Sequence, residues 1–195
     1  KPTKKKFINY KGKYIATLGR LTKTAKHKGY VNLLKAFKRF PKTKDLLLVI
    51  AGDGDLRKEL EKLSGKLGIR EKVLFTGYLS DQEISRLLTH AKVFSLVSKS
   101  GFMAGEGIPL TPIEAMSCGT PIVVGNADGS IECLQEDVGK AVDPDDIDEI
   151  FNALKYYVSL DDKEYKKISS MCVKNVNKNF SFNKFAIDLN QLIQE

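Results

Sequence analysis

The sequence predicts a doubly wound (Rossmann-like) α/β domain, a parallel sheet with helices on both faces. Two observations carry this reading. The hydrophobic runs, among them "DLLLVIAG" and "TPIVVG", are apolar at nearly every position rather than at alternate ones, as in strands buried on both faces. Between successive runs lie segments with apolar residues at helical spacing, the alternation that builds βαβ units.

Taken in order, "KYIATLG" reads as a first strand and "YVNLLKAFKRF" as a helix with Val31, Leu34, Phe37 and Phe40 on one stripe. "DLLLVIAG" is a buried strand ending at Gly52, and "DLRKELEKLSGKLG" a helix stopped near Gly68. "KVLFTG" is a third strand, and Ser80 with Glu83 in "SDQEISRLLTHA" gives the capping-box pattern of a helix start. "KVFSLVS" is a fourth strand and "TPIEAMSCG" a short helix, with Thr111 at the N-cap, Pro112 first and Glu114 third. "TPIVVG" and "GKAVD" supply fifth and sixth strands, and the chain is helical from Asp145 onward. The tail "FSFNKFAIDLNQLIQE" carries Phe182, Phe185, Leu189 and Leu192, the pattern of a closing amphipathic helix. One domain is expected over 1–195: a basic lead-in 1–13, a core 14–158 and C-terminal helices 159–195.

Composition narrows the function classes. At 195 residues and 42% hydrophobic the chain is long enough for one real core. Its apolar runs are too short to span a bilayer, and the basic start "KPTKKK" lacks the apolar region of a secretory signal. That start has no initiator Met, so a processed chain or, in preference, a piece of a longer protein is expected. Cys118, Cys133 and Cys172 form neither a paired framework nor a metal-spaced cluster, which fits a reducing, cytoplasmic setting. A net charge of +8 favours acidic partners: nucleotide phosphates, nucleic acid or the inner face of an anionic membrane, touched peripherally. Most of the lysines need no reading beyond a solvated surface. Nucleic-acid binding has only net charge behind it, without interleaved aromatics, and is set aside.

In such a fold ligands sit outside the carboxyl ends of the strands, so the loops there hold the candidates. In "GRLTKTAKHKG", Arg20 follows Gly19 and the first strand, and Lys28 precedes the helix. The two cations suit a diphosphate, each contact contributing roughly 1.5–3 kcal/mol, although a solvated basic loop reads the same way. The loop lacks the glycine spacing of a Walker A motif. "AGDGDLRKEL" lacks the third glycine of a dinucleotide fingerprint, so Asp53 and Asp55 read as turn and cap residues. Either Tyr78 and Leu79 line a flat base or Tyr78 is simply half-buried. In "GEGIPLTPIEAMSCG", helix capping alone accounts for Glu114, whereas Glu106, between Gly105 and Gly107, is either a solvated loop acid or a ligand-facing carboxylate.

"GRL…HKG", "VIAGDGDLRKEL", "VLFTGYLSDQEI" and above all "EGIPLTPIEAMSCGTPIVVGN" together resemble a retaining glycosyltransferase of family 4. The likeness is to the C-terminal, nucleotide-sugar-binding half of the GT-B architecture and runs in order over about 14–142. It implies a nucleoside-diphosphate sugar as donor, no cofactor and no metal. Arg20 and Lys28 match the pair that binds the donor diphosphate and stabilises the leaving nucleoside diphosphate. Glu106 matches the residue near the reacting centre of the sugar, and Glu114 the acceptor of ribose hydroxyls. Gly107, Ile108 and Leu110 match backbone that touches sugar and phosphate, Gly19 lies at the phosphate loop, and the main chain at Leu79 matches the segment reading the base. Pro109 departs from the glycine frequent in the family and removes one donor N–H. The acceptor-binding N-terminal half is expected to be absent from this chain, which alone would bind donor and transfer nothing.

Three rivals remain in view. A glycoside hydrolase also uses two carboxylates, one with a raised pKa, and a helix-start position for Glu114 pushes the other way. A non-catalytic nucleotide- or partner-binding module of the same fold would keep the donor motifs. A nicotinamide dehydrogenase would need the glycine fingerprint after Leu18.

Overall fold

The computed structural model describes residues 10, 12–41, 45–100, 105, 107–135 and 138–194. Six strands, β1 Lys13–Leu18, β2 Leu46–Ala51, β3 Val73–Gly77, β4 Val93–Leu96, β5 Ile122–Gly125 and β6 Gly139–Val142, form one sheet in the order β3-β2-β1-β4-β5-β6. Every neighbouring pair is parallel. The apolar runs explain this directly: all of β2 and β3 is buried, as strands covered on both faces must be.

One face carries α1 Tyr30–Phe37, α2 Arg57–Lys66 and α5 Ile147–Ser159, packed on Ile15, Leu48, Ile50, Phe75 and Val93. The other carries α3 Asp81–His90, α4 Leu110–Ser117 and α6 Asp162–Asn179, packed on Ala16, Val49, Leu74, Phe94 and Val124. Between β1 and β4 the strand order reverses, and the loops leaving these strands diverge to opposite sides. That divergence opens the crevice in which doubly wound folds bind ligands.

Three expectations need correction. Helix α1 ends at Phe37, and its buried stripe runs through Tyr30, Leu33, Leu34 and Phe37 while Val31 is 44% exposed. Helix α4 starts at Leu110 with Pro109 as its N-cap, so Thr111 and Pro112 fall second and third and Glu114 lies beyond the first turn. The first four N–H groups of any helix lack internal partners, so a proline fits throughout the first turn and does not mark its first position. Asp55 does not cap α2, whose N-cap position holds Leu56.

The tail forms α7 Phe182–Gln194. Its stripe is amphipathic as expected, but Phe182, Phe185, Leu189 and Leu192 are exposed rather than packed on either core.

Candidate functional site

The rim at the carboxyl ends of the strands is built on close backbone approach. Gly19 N–H donates to Ala51 O at 3.1 Å, and Gly52 N–H to Gly77 O at 3.0 Å, lacing the exits of β1, β2 and β3. Gly52 has φ 118°, and a Cβ there would stand 1.9 Å from Gly19 O; only glycine fits. Each of these glycines is followed by a rim residue: Arg20, Asp53 and Tyr78.

The loop after β1 is fastened on both sides. Towards β2, Leu21 N–H donates to Asp53 O at 3.0 Å and Leu56 N–H to Leu21 O at 2.8 Å. Lys23 N–H donates to Asp55 Oδ1 at 2.9 Å. Asp55 thus caps the 3₁₀ segment Lys23–Lys28 from the neighbouring loop. Asp53 accepts from Gly54 N–H at 2.9 Å and pairs with Arg57 at 3.1 Å, the turn role expected of it. Towards β4, Lys99 N–H donates to His27 O at 2.8 Å. Gly29, at φ 73°, comes so close to β4 that a Cβ would stand 2.0 Å from Val97 O.

This fastening lays Lys28 against the Gly19 end of the loop. The Lys28 stem lies over Gly19, with Cδ 3.3 Å from where a Cβ would be, and Tyr30 Oη–H donates to Arg20 O at 3.3 Å. Lys28 closes the 3₁₀ segment rather than opening α1, which begins after the Gly29 hinge. Arg20 is exposed, and its guanidinium makes no hydrogen bond or ion pair among the described residues.

Along the same rim, Leu79 is half-buried and packs with Leu18 and Ile113 against the core that α3 and α4 share. Leu79 and the helix bearing Glu114 therefore lie on one face of the sheet. Tyr78 is 76% exposed. The Ser80 N–H is taken by Glu83 at 2.7 Å, the expected capping box, so it is not available to a ligand.

At the start of α4, Ile108 and Leu110 are exposed by 54% and 69%, and a Cβ at Gly107 would meet nothing within 4 Å. Glu114 is exposed and its carboxylate has no partner among the described residues, so it is not the helix cap that its spacing suggested. Glu106 lies outside the described residues.

The structure adds residues that the motifs did not single out. Asp128 accepts from Ser130 N–H at 3.0 Å, capping the 3₁₀ segment Gly129–Cys133, and Ser98 Oγ and Ser130 Oγ share a buried bond of 2.9 Å. A Cβ at Gly105 would stand 3.7 Å from Ser100 Cα and 3.8 Å from Asp128 Cβ. Lys99 Nζ donates to Asp145 Oδ1 at 2.8 Å, and Asn32 Nδ2 donates to the same oxygen at 3.1 Å. The Lys99 hydrogen bond holds the Asp145 carboxyl below its ordinary range. Burial pushes the Cys133 thiol to about 12, with Asp128 and Glu132 adding to the rise. The "DGS" triplet of Asp128 to Ser130 is a capping signal legible in the sequence, but nothing in it reports proximity to Gly105.

Chemically, the rim offers Arg20 and Lys28 on the loop beside Gly19, a Glu114 carboxylate with no partner among the described residues on a neighbouring helix, and an apolar step at Leu79. These suit an anion carrying a hydroxylated ring.

Comparison with known proteins agrees in kind. A glycosyltransferase of Methanocaldococcus jannaschii is 35% identical over 126 residues, 65% of this chain and 30% of that protein. A GDP-mannose-dependent phosphatidylinositol monomannoside mannosyltransferase of Mycolicibacterium smegmatis is 30% identical over 141 residues, 69% of this chain and 36% of its own length. Among solved structures, Anabaena HepE in complex with UDP and glucose superimposes with a TM-score of 0.80 at 22% identity, covering 99% of this chain and 51% of that one. At that identity the likeness is one of fold. The chain spans about a third of these curated relatives and half of the structural neighbour. The family profile described as "Glycosyl transferases group 1" matches residues 2–175, and the chain belongs to that family.

Proposed function

We propose that this chain is the donor-binding domain, the C-terminal half, of a retaining family 4 glycosyltransferase of the GT-B type, and that it binds a nucleoside-diphosphate sugar. The observation that carries the reading is the pair of cations at the exit of β1, where Lys28 is laid over Gly19 and the Arg20 guanidinium has no partner among the described residues. The UDP in the HepE complex and the GDP-mannose in the mycobacterial relative's name support a nucleoside diphosphate as the anion.

In this reading Arg20 and Lys28 hold the diphosphate and stabilise it as it leaves. Glycosyl transfer builds negative charge on those oxygens, and fixed cations there contribute without reorganising. Two cations at the leaving group make the chemistry metal-independent. Glu114 accepts from the ribose hydroxyls, the main chain at Leu79 reads the base, and the backbone at Gly107, Ile108 and Leu110 contacts sugar and phosphate. Glu106 acts beside the anomeric carbon. The acceptor site belongs to an N-terminal domain of the parent protein, so this chain alone binds donor without transferring sugar. Its setting is cytoplasmic, with peripheral contact to the inner membrane face; among the described residues no helix is long and apolar enough to cross a membrane.

Calorimetric titration with UDP, GDP and ADP beside the matching nucleosides tests this. One diphosphate binds well above its nucleoside, and EDTA leaves the affinity unchanged. Diphosphates that bind no better than nucleosides refute the assignment.

A further inference from the structure

Helices α6 and α7 carry a surface that the fold itself does not use. In α7, Phe182, Phe185, Leu189, Leu192 and Ile193 are between 44% and 81% exposed, and none of them packs on either core. They recur at three- and four-residue steps, so they form one stripe along the helix. Single exposed apolar residues are ordinary, whereas a continuous stripe marks a contact surface.

The preceding helix supplies charge beside that stripe. From Tyr165 to Ile187 the sequence holds Lys166, Lys167, Lys174, Lys178 and Lys184 and no acid. The acids of α6, Asp162 and Glu164, are confined to its first turn, where they complement the helix N-terminus. Helix α6 turns Cys172 and Asn175 into the protein, both fully buried, which places Lys166, Lys167 and Lys174 on its outward face. All three are exposed, and none has a partner among the described residues.

This combination of charge and apolar surface favours a lipid over a protein partner. Lysine is depleted from the cores of protein–protein interfaces. An apolar stripe beside an acid-free lysine face is the pattern of a helix lying in the surface of an anionic bilayer, its apolar side chains in the acyl boundary and the lysine stems reaching headgroups. At 13 residues, about 20 Å, α7 is too short to cross a bilayer and lies along its surface. We propose that α6 and α7 form a docking surface for a membrane containing anionic phospholipid, with the α7 stripe inserted and the α6 lysines on headgroup phosphates. The inference rests on the peripheral membrane contact proposed above, for which it names the surface, and not on donor binding.

The experiment floats this chain with vesicles of phosphatidylcholine alone or mixed with phosphatidylglycerol. The expected result is binding at least about tenfold tighter to the mixed vesicles, weakening with added salt. Lys166→Gln with Lys174→Gln lowers it by about tenfold or more, since each lysine near an anionic surface is worth roughly fivefold. Phe185→Gln with Leu192→Gln lowers it by about a hundredfold. Glutamine is a good helix former, so circular dichroism and binding of UDP or GDP are the same in all three proteins. Equal binding to neutral and mixed vesicles, or binding that salt leaves unchanged, overturns the proposal. Binding unchanged in Phe185→Gln with Leu192→Gln overturns this surface and leaves a membrane contact elsewhere on the chain. No vesicle binding overturns both surface and contact, while diphosphate binding reads the donor assignment separately. A dimer in sedimentation that the same pair of substitutions dissociates, without vesicle binding, assigns the stripe to a second copy and overturns the proposal.

Discussion

Replacing Arg20 and Lys28 separately distinguishes a phosphate grip from a merely basic surface, because the structure gives them different structural duties. Arg20 is exposed and its guanidinium touches no described partner, so Arg20→Ala shifts stability by no more than about 0.5 kcal/mol. A lost charge-assisted contact is worth roughly 1.5–3 kcal/mol, so the affinity for a nucleoside diphosphate falls by about tenfold or more. The nucleoside alone loses little. Lys28 packs its stem over Gly19, so Lys28→Ala loses apolar contact as well as charge and lowers stability by about 1 kcal/mol. Lys28→Met keeps the stem and recovers the packing part of the stability but not the affinity. The assay pairs calorimetry against UDP or GDP and their nucleosides with urea denaturation of each variant. Equal loss for nucleoside and diphosphate, or a marked stability loss in Arg20→Ala, refutes the reasoning.

Further outcomes follow from the same geometry. Because Glu114 lies past the first turn of α4 and has no partner among the described residues, Glu114→Ala leaves thermal stability unchanged and lowers the preference for ribose over 2′-deoxyribose diphosphates in competition binding; a stability loss restores the capping role. Thr17 Oγ1 and Ser95 Oγ are buried without partners among the described residues, each one residue past the Ala16–Phe94 pair of the adjacent strands β1 and β4. An orphaned hydroxyl costs about 1–3 kcal/mol, so Thr17→Val raises stability by about 1 kcal/mol in denaturant titration, and a loss of that size points to a bridging water. The Cys133 and Cys172 thiols are both raised to about 12, mainly by burial. Below pH 9 they are neutral in native and unfolded chains alike, whereas between 9 and 12 only the unfolded chain ionises, so stability falls with rising pH. Denaturation midpoints that stay flat across that interval count against the assignment.

The strands were legible because a strand covered on both faces has to be apolar throughout, and "LLLVIA" is buried at every residue of β2. Capping chemistry was legible where it is local: Ser80 and Glu83 close on each other three residues apart. It misled where two solutions share one signature, as at α4, where Pro112 fits any place in a first turn. Arg20 and Lys28 were singled out through their motif, but the motif did not show how the loop that carries them is fastened, which lies in backbone bonds to Asp53 and Lys99. Asp128 escaped notice for a similar reason. Its capping bond is two residues away in the chain, while its closeness to Gly105 comes from tertiary packing.

The lacing of the strand exits has a thermodynamic consequence. Fixing one residue of backbone costs about 1–2 kcal/mol, and for the segment between Gly19 and Gly29 that charge is met when the chain folds, by bonds to both neighbouring loops. On the donor-binding proposal, an arriving diphosphate meets a loop that is already ordered and keeps most of its contact energy as affinity. Calorimetry should register this as a modest entropic penalty that scarcely grows on warming.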